Sequence, residues 1–124
     1  MPRLERDLAR AVDRYLKTLP KCYAVNYTGG GRAGAPDRLV CYEGRFIGLE
    51  LKSDTGRPSE LQKVNLERIR RAGGEAFVVR SLDEVRQILT HVREGRERER
   101  KLCADLAALA DKYRAENERS RKNV

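Results

Sequence analysis

Three residues near the middle of the chain have the types and spacing to do chemistry together. Asp37 precedes a β-prone run at 38–42, while Glu50 and Lys52 lie at the end of a second run at 46–51 and just past it. Between the runs, Glu43-Gly44 has the composition of a two-residue hairpin turn. Such a turn pairs Tyr42 with Arg45, and the same antiparallel register carried outward sets Asp37 opposite Glu50. Opposed residues hold their Cβ atoms about 4.5–5.5 Å apart, where two carboxylates repel unless a cation lies between them. Side-chain alternation puts Lys52 on the face of Glu50 and turns Ile47, Leu49 and Leu51 to the other face, under the helices. Mg²⁺ takes oxygen ligands in octahedral geometry and is commonly held by one or two carboxylates, with waters and substrate phosphate oxygens completing the shell. Asp37 and Glu50 meet that requirement. The plainer alternative is a surface salt-bridge group of Asp37, Glu50 and Lys52 on an α/β scaffold.

Further polar side chains fall where apolar ones are expected. Over 4–19, Leu4, Leu8, Ala11, Val12, Tyr15, Leu16 and Leu19 recur at helical spacing and Pro20 ends the pattern. Glu5 is the one charged residue inside that apolar arc, so it is expected to point inward, toward the same carboxylate cluster; the alternative is an acid at a helix N-terminus favoured by the dipole. Gln62 also falls inside the arc of its helix, as do Asn65 and Arg68. Ser59 and Gln62 form a capping-box pair, which explains the glutamine structurally and leaves a role at the site as the alternative. The glycine-rich segment 28–36 lacks the G-K-[ST] ending of a nucleotide-binding loop; it reads as a mobile connection beside a nucleic-acid groove or simply as an ordinary loop.

The elements that must position these groups follow in order: the helix at 4–19, strands at 22–27, 38–42 and 46–51, a helix opening at Ser59 and closing at Gly73-Gly74, a strand at 75–80, and a helix capped by Ser81 that completes the core near Arg93. This is an α/β chain of order αβββαβα. Beyond it, 94–124 is rich in Arg, Lys and Glu, with Leu102, Leu106, Leu109 and Tyr113 forming a narrow seam on a further helix. The expected division is 1–93 as the working domain and 94–124 as a charged helical extension.

Composition narrows the partner. A formal charge of +8 favours a polyanion, because cationic side chains release counterions when they neutralise phosphates. Arg32, Arg38, Arg57, Lys63 and Arg71 are the candidate phosphate contacts. Cys22, Cys41 and Cys103 are odd in number and contain no C-x-x-C pair, and His91 is the only histidine, so neither a zinc site nor a disulfide framework is indicated. The chain has no apolar run near the roughly 20 residues that cross a bilayer and no signal-peptide core, so a soluble cytoplasmic protein with no membrane partner is expected.

The ordered segments "GAPD", "GLELK" and "GRPSELQ", preceded by the acid in the first helix, resemble the virus-type replication-repair nuclease (VRR-NUC) family of the PD-(D/E)xK superfamily. Pro36-Asp37 and Glu50-Leu51-Lys52 match the two halves of the superfamily motif, Gln62 the glutamine of the following helix, and Glu5 the N-terminal acid; the match spans 4–92. The resemblance implies a restriction-endonuclease-like core with a mixed four-stranded sheet flanked by helices. It implies Mg²⁺ or Mn²⁺ held by Asp37, Glu50 and the main-chain carbonyl of Leu51, with Glu5 available to a second ion, and Lys52 acting on the attacking water or the developing charge. It also implies that small stand-alone members are homodimers cutting branched DNA such as Holliday junctions, while members fused to larger proteins act on flaps. The rival is a non-enzymatic DNA-binding accessory protein with a pseudo-nuclease site.

Overall fold

The computed structural model describes residues 4–28 and 32–123 of the chain. Helix α1 (Glu5–Thr18) leads into strand β1 (Cys22–Asn26), followed by β2 (Arg38–Tyr42), β3 (Arg45–Leu51), helix α2 (Glu60–Arg71), β4 (Glu75–Val79) and helix α3 (Leu82–Lys122). The expected order αβββαβα is therefore found. The strands form one open sheet in the order β1-β2-β3-β4, antiparallel across β1–β2 and β2–β3 and parallel across β3–β4.

The β2–β3 register is the one that the turn dictates, with Tyr42 opposite Arg45 and Arg38 opposite Leu49. Glu43 (φ 53°) and Gly44 (φ 78°) both sit in the left-handed region, as the tightest hairpin turns demand. Val40, Tyr42, Ile47, Leu49, Leu51 and Val79 then share one sheet face, where they join Leu8, Val12 and Leu16 of α1 and Val85, Leu89 and Val92 of α3 in a single buried cluster. On the opposite face α2 lies close to the strands. A Cβ on Gly48 would stand 2.8 Å from Ile69 Cδ1 and 3.0 Å from Pro36 Cγ, so any side chain there would force these neighbours to shift.

Helix α2 begins and ends on local signals. The Ser59 side chain accepts from the Gln62 backbone N–H while the Gln62 side chain accepts from the Ser59 N–H, which is the full capping box. At the other end, Gly73 (φ 95°) turns the chain and the Gly74 N–H bonds back to the Ile69 carbonyl. Ser81 caps α3 as expected, accepting from the Glu84 N–H.

The last helix differs from expectation. In place of a helix ending near Arg93 and a separate one after it, α3 continues unbroken for 41 residues. Gly95 is the only break signal there, and a lone helical glycine costs only about 1 kcal/mol relative to alanine. Ion pairs one turn apart, Arg93–Glu97 and Arg114–Asp111 among them, support the continuation. The chain divides into two compact units, Met1–Val92 and Arg93–Val124. Among the described residues no helix is long and apolar enough to cross a membrane.

The irregular segment expected at 28–36 falls partly on Gly29, Gly30 and Gly31, which lie outside the described residues. After them the chain turns at Gly34 (φ 80°) against Leu61 and Asn65 of α2, with the Asn65 side-chain amide donating to the Ala33 carbonyl.

Candidate active site

Asp37 sits one residue before the first pair of the β2–β3 ladder, and its main chain and side chain are both held. Its carbonyl accepts from the Tyr27 N–H at 2.8 Å, its Oδ2 from the Leu51 N–H at 2.9 Å, and its Oδ1 from the Thr28 hydroxyl at 3.3 Å. These bonds aim the carboxylate at the end of β3, where Glu50 emerges. Glu50 is 1% exposed. Its Oε1 accepts from the Gln62 side-chain amide at 2.9 Å and lies 3.5 Å from the Lys52 ammonium. Its Oε2 has no hydrogen-bond partner, and no other buried side-chain polar atom among the described residues is left so. Burial foremost, and then the neighbouring Asp37 carboxylate, push the Glu50 carboxyl up to about 8, against the pull of Lys52.

A buried carboxylate oxygen left bare beside a second carboxylate fits a divalent cation, which would satisfy the oxygen and remove the repulsion together. Among the described residues no cluster of three or more His, Cys, Asp or Glu side chains could hold a metal.

A structural comparison bears directly on this arrangement. A solved structure described as a VRR_NUC domain superposes on the chain with a TM-score of 0.60 and 28% sequence identity, covering 70% of this chain and 95% of that one. No protein-family model and no curated protein matches the sequence. The chain has the fold of a VRR-NUC domain, and the likeness supports the resemblance carried by its motifs. Its open, mixed sheet with flanking helices is the fold of a nuclease family, and such a fold implies a divalent metal and DNA as partner.

Within this VRR-NUC fold the motif residues divide. Asp37, Glu50, Lys52 and Gln62 come together, and Gln62 serves two ends at once: its carbonyl oxygen closes the capping box while its amide nitrogen holds Glu50. The structural and site readings of that residue are therefore compatible. Glu5 is corrected. It stands exposed on the first turn of α1 rather than inward, because the helix begins at Glu5 itself and its first buried residue is Leu8. It nevertheless lines a cavity of about 300 Å³ together with Asp37 and Leu51.

Arg38 is also corrected. Expected to reach DNA, it is 3% exposed, with its guanidinium bonded at 2.6 and 2.9 Å to the two carboxylate oxygens of Asp13 and at 3.0 Å to the Asp37 carbonyl. Alternation carried this signal, since Arg38 shares the inward parity of Val40 and Tyr42. The residue fixes the backbone of Asp37 from below. Arg32 lines a cavity of about 440 Å³ with Asp37 and Gln62, while Arg57, Lys63 and Arg71 are exposed, the last two paired with Glu60 and Glu67 of their own helix. A further cavity of about 630 Å³ on the α2 side of the sheet is lined by Tyr27, Leu39, Phe46, Ile69, Arg32 and Arg68 among others, and by neither Asp37 nor Glu50.

Sequence spacing did not reveal Thr28, Asp13 or Arg80. Arg80 donates to the Ser53 carbonyl at 2.6 Å and also to the Gly56 carbonyl, tying down the segment that follows Lys52. No local pattern links residues so far apart in the chain.

Proposed function

We propose that this chain is a magnesium-dependent endodeoxyribonuclease, with Mn²⁺ as the alternative ion, that hydrolyses phosphodiester bonds in branched DNA of the Holliday-junction or flap type. It acts as a homodimer in replication, recombination or repair. The observation that carries the reading is the unpaired, buried Glu50 Oε2 beside Asp37, with Lys52 alongside. Asp37, Glu50 and the Leu51 carbonyl would hold the ion, which when bound supplies Lewis-acid activation of water and neutralises charge on the phosphate.

The remaining roles belong to the chain's own groups. The Leu51 N–H and Thr28 hydroxyl keep the Asp37 carboxylate in one orientation, and Gln62 does the same for Glu50. The Lys52 ammonium, 15% exposed and held against Glu50, is placed to orient the attacking water or to offset negative charge developing on the phosphate. Glu5, which lines the cavity with Asp37 and Leu51, would be available to a second ion. Arg32, Arg57, Lys63 and Arg71 would contact phosphates, giving binding that weakens with salt and carries little sequence preference. Two copies would supply one site per strand of a two-fold junction.

The test is direct. Pure protein is incubated with labelled flap, fork, four-way junction and linear duplex, each with Mg²⁺ or with EDTA. Cleavage of branched substrates only with the metal is the expected result. Binding to all of them with no cleavage under any metal would leave the accessory-protein reading in its place.

A further inference from the structure

In the unit Arg93–Val124 every residue from 97 to 123 is exposed, the large apolar ones included: Leu102 is 58% exposed, Leu106 55%, Leu109 46% and Tyr113 59%. Their spacing of four, three and four residues is the alternation of d and a positions in a heptad, which keeps them on one stripe of the helix as two helices supercoil. A stripe of four large apolar side chains left exposed along a helix is what a partner helix covers. The flanking residues say which one.

We infer that the 102–113 stretch of α3 pairs antiparallel with the same stretch of a second copy of this chain, and that this short coil is the dimer contact. In the antiparallel register the seam is its own complement, since Leu102 meets the partner's Tyr113 and Leu106 meets the partner's Leu109, so every layer joins a d residue to an a residue. Asp105 and Lys112 occupy the g positions that flank the seam on one side. Antiparallel pairing brings Asp105 opposite the partner's Lys112, and two-fold symmetry makes that attraction twice. Neither side chain has an ion pair of its own among the described residues. On the other flank the e positions hold Cys103 and Ala110, small enough for the helices to approach closely.

A parallel pair lacks these features. There Asp105 faces alanine and Lys112 faces asparagine, so no charges are matched. The seam also has defined ends. Glu99 and Glu116 occupy the next positions outward and would oppose each other in the antiparallel register, which limits the coil to its four apolar layers. So short a contact gives a dimer that dissociates on dilution through roughly the micromolar range.

Sedimentation equilibrium of the full chain from about 1 to 200 μM tests the proposal, with no dependence on cleavage. A monomer–dimer equilibrium is expected, lost in Leu106→Glu/Leu109→Glu, whose exposed positions leave the folded core and its melting untouched. Asp105→Lys and Lys112→Asp should each weaken the dimer about tenfold, and the double reversal Asp105→Lys/Lys112→Asp should restore it. A monomer at every concentration overturns the inference. A dimer indifferent to the Leu106→Glu/Leu109→Glu change overturns this surface while leaving a homodimeric nuclease standing, as does a double reversal no better than the single changes. Loss of cleavage with the dimer intact would count against the nuclease reading alone.

Discussion

On one face of the sheet Val40, Tyr42, Ile47, Leu49, Leu51 and Val79 are all but sealed beneath α1 and α3. On the other face, alternate residues of the same strands are Asp37, Leu39, Cys41, Phe46, Gly48 and Glu50; here Cys41 and Phe46 stay exposed, and the best-buried polar group is left with a bare oxygen. The strands are common to both faces, so backbone geometry does not explain the contrast. Side chains do. The first face removes apolar area from water and, among the described residues, leaves no buried side-chain polar atom unpaired, Arg38 being held by Asp13, which is how a small domain acquires its stability. The second carries two neighbouring carboxylates, one of them buried, which lowers the stability of the metal-free fold. The two tasks are divided by strand parity: Ile47, Leu49 and Leu51 of β3 stabilise, while Glu50 and Gly48 serve the site and the close passage of α2.

The largest effect expected from breaking this division is on activity. Asp37→Asn and Glu50→Gln should each reduce cleavage of branched DNA by about a thousandfold or more while leaving affinity within a few-fold, because they remove the charge that holds a cation but keep the shape. Magnesium at 100 times its dissociation constant should stabilise the wild type by about 2.7 kcal/mol and neither variant comparably. Lys52→Ala should keep that stabilisation and lose turnover. Melting curves with and without Mg²⁺, beside a junction-cleavage assay, read all of this, and an Asp37→Asn protein that cuts normally would disprove the site.

Stability should respond in the opposite sense across the sheet. Leu49→Ala is expected to cost about 2–5 kcal/mol in urea unfolding, as a fully buried leucine leaves a cavity behind. Glu50→Gln, one residue along the strand, should leave the metal-free protein as stable or more so. Equal losses at the two positions would abolish the distinction between the faces.

Which parts of this were legible in the sequence follows the same physical line. The hairpin register could be read because a two-residue turn leaves no freedom in the pairing, and with it came the approach of Asp37 to Glu50. Gln62 could be read as half of the capping box because capping is local. The inward orientation expected of Glu5 is not found because the first turn of α1 precedes its buried stretch, although Glu5 still lines the cavity beside Asp37 and Leu51. Charge alone suggests a surface cation at Arg38, but its parity places it inside, where Asp13 neutralises it. Arg80 and Thr28 were invisible because the contacts that matter are made in tertiary structure. The length of α3 was missed because a change of composition at residue 94 looks like a boundary, while the backbone meets no cap there.

The charge state of Glu50 sharpens the contrast further. Its carboxyl is raised from the ordinary carboxylate range to about 8, so the folded protein binds this proton more tightly than the unfolded chain does. The associated stabilisation is complete below the unfolded pKa and is lost as pH climbs through about 8. Without metal, stability should therefore decline over that window, by up to a few kcal/mol, and Glu50→Gln should flatten the decline. Magnesium competes with the same proton, so its stabilising effect should grow over the same rise in pH. Urea titrations at several pH values, with EDTA and with Mg²⁺, check both slopes; a metal effect that shrinks toward pH 8 would contradict the assignment.

The smallest effect separates the two ends of one side chain. Ser59→Ala removes the bond from the Gln62 N–H and should cost about 1 kcal/mol, a fall in melting temperature of roughly 4–8 °C for a domain of this size. Gln62→Ala should cost a similar amount, because it opens the other half of the capping box, but it also takes the amide away from Glu50 Oε1. If Gln62 positions the carboxylate, its variant should lose about tenfold in cleavage rate and bind Mg²⁺ more weakly, whereas Ser59→Ala should stay within about threefold of wild type on both. Matching losses of cleavage from equal losses of stability would mean that the glutamine matters only by starting α2 in the right place. A loss confined to Gln62→Ala would show that the helix carries the residue to the site, and that the side chain, once there, acts on Glu50.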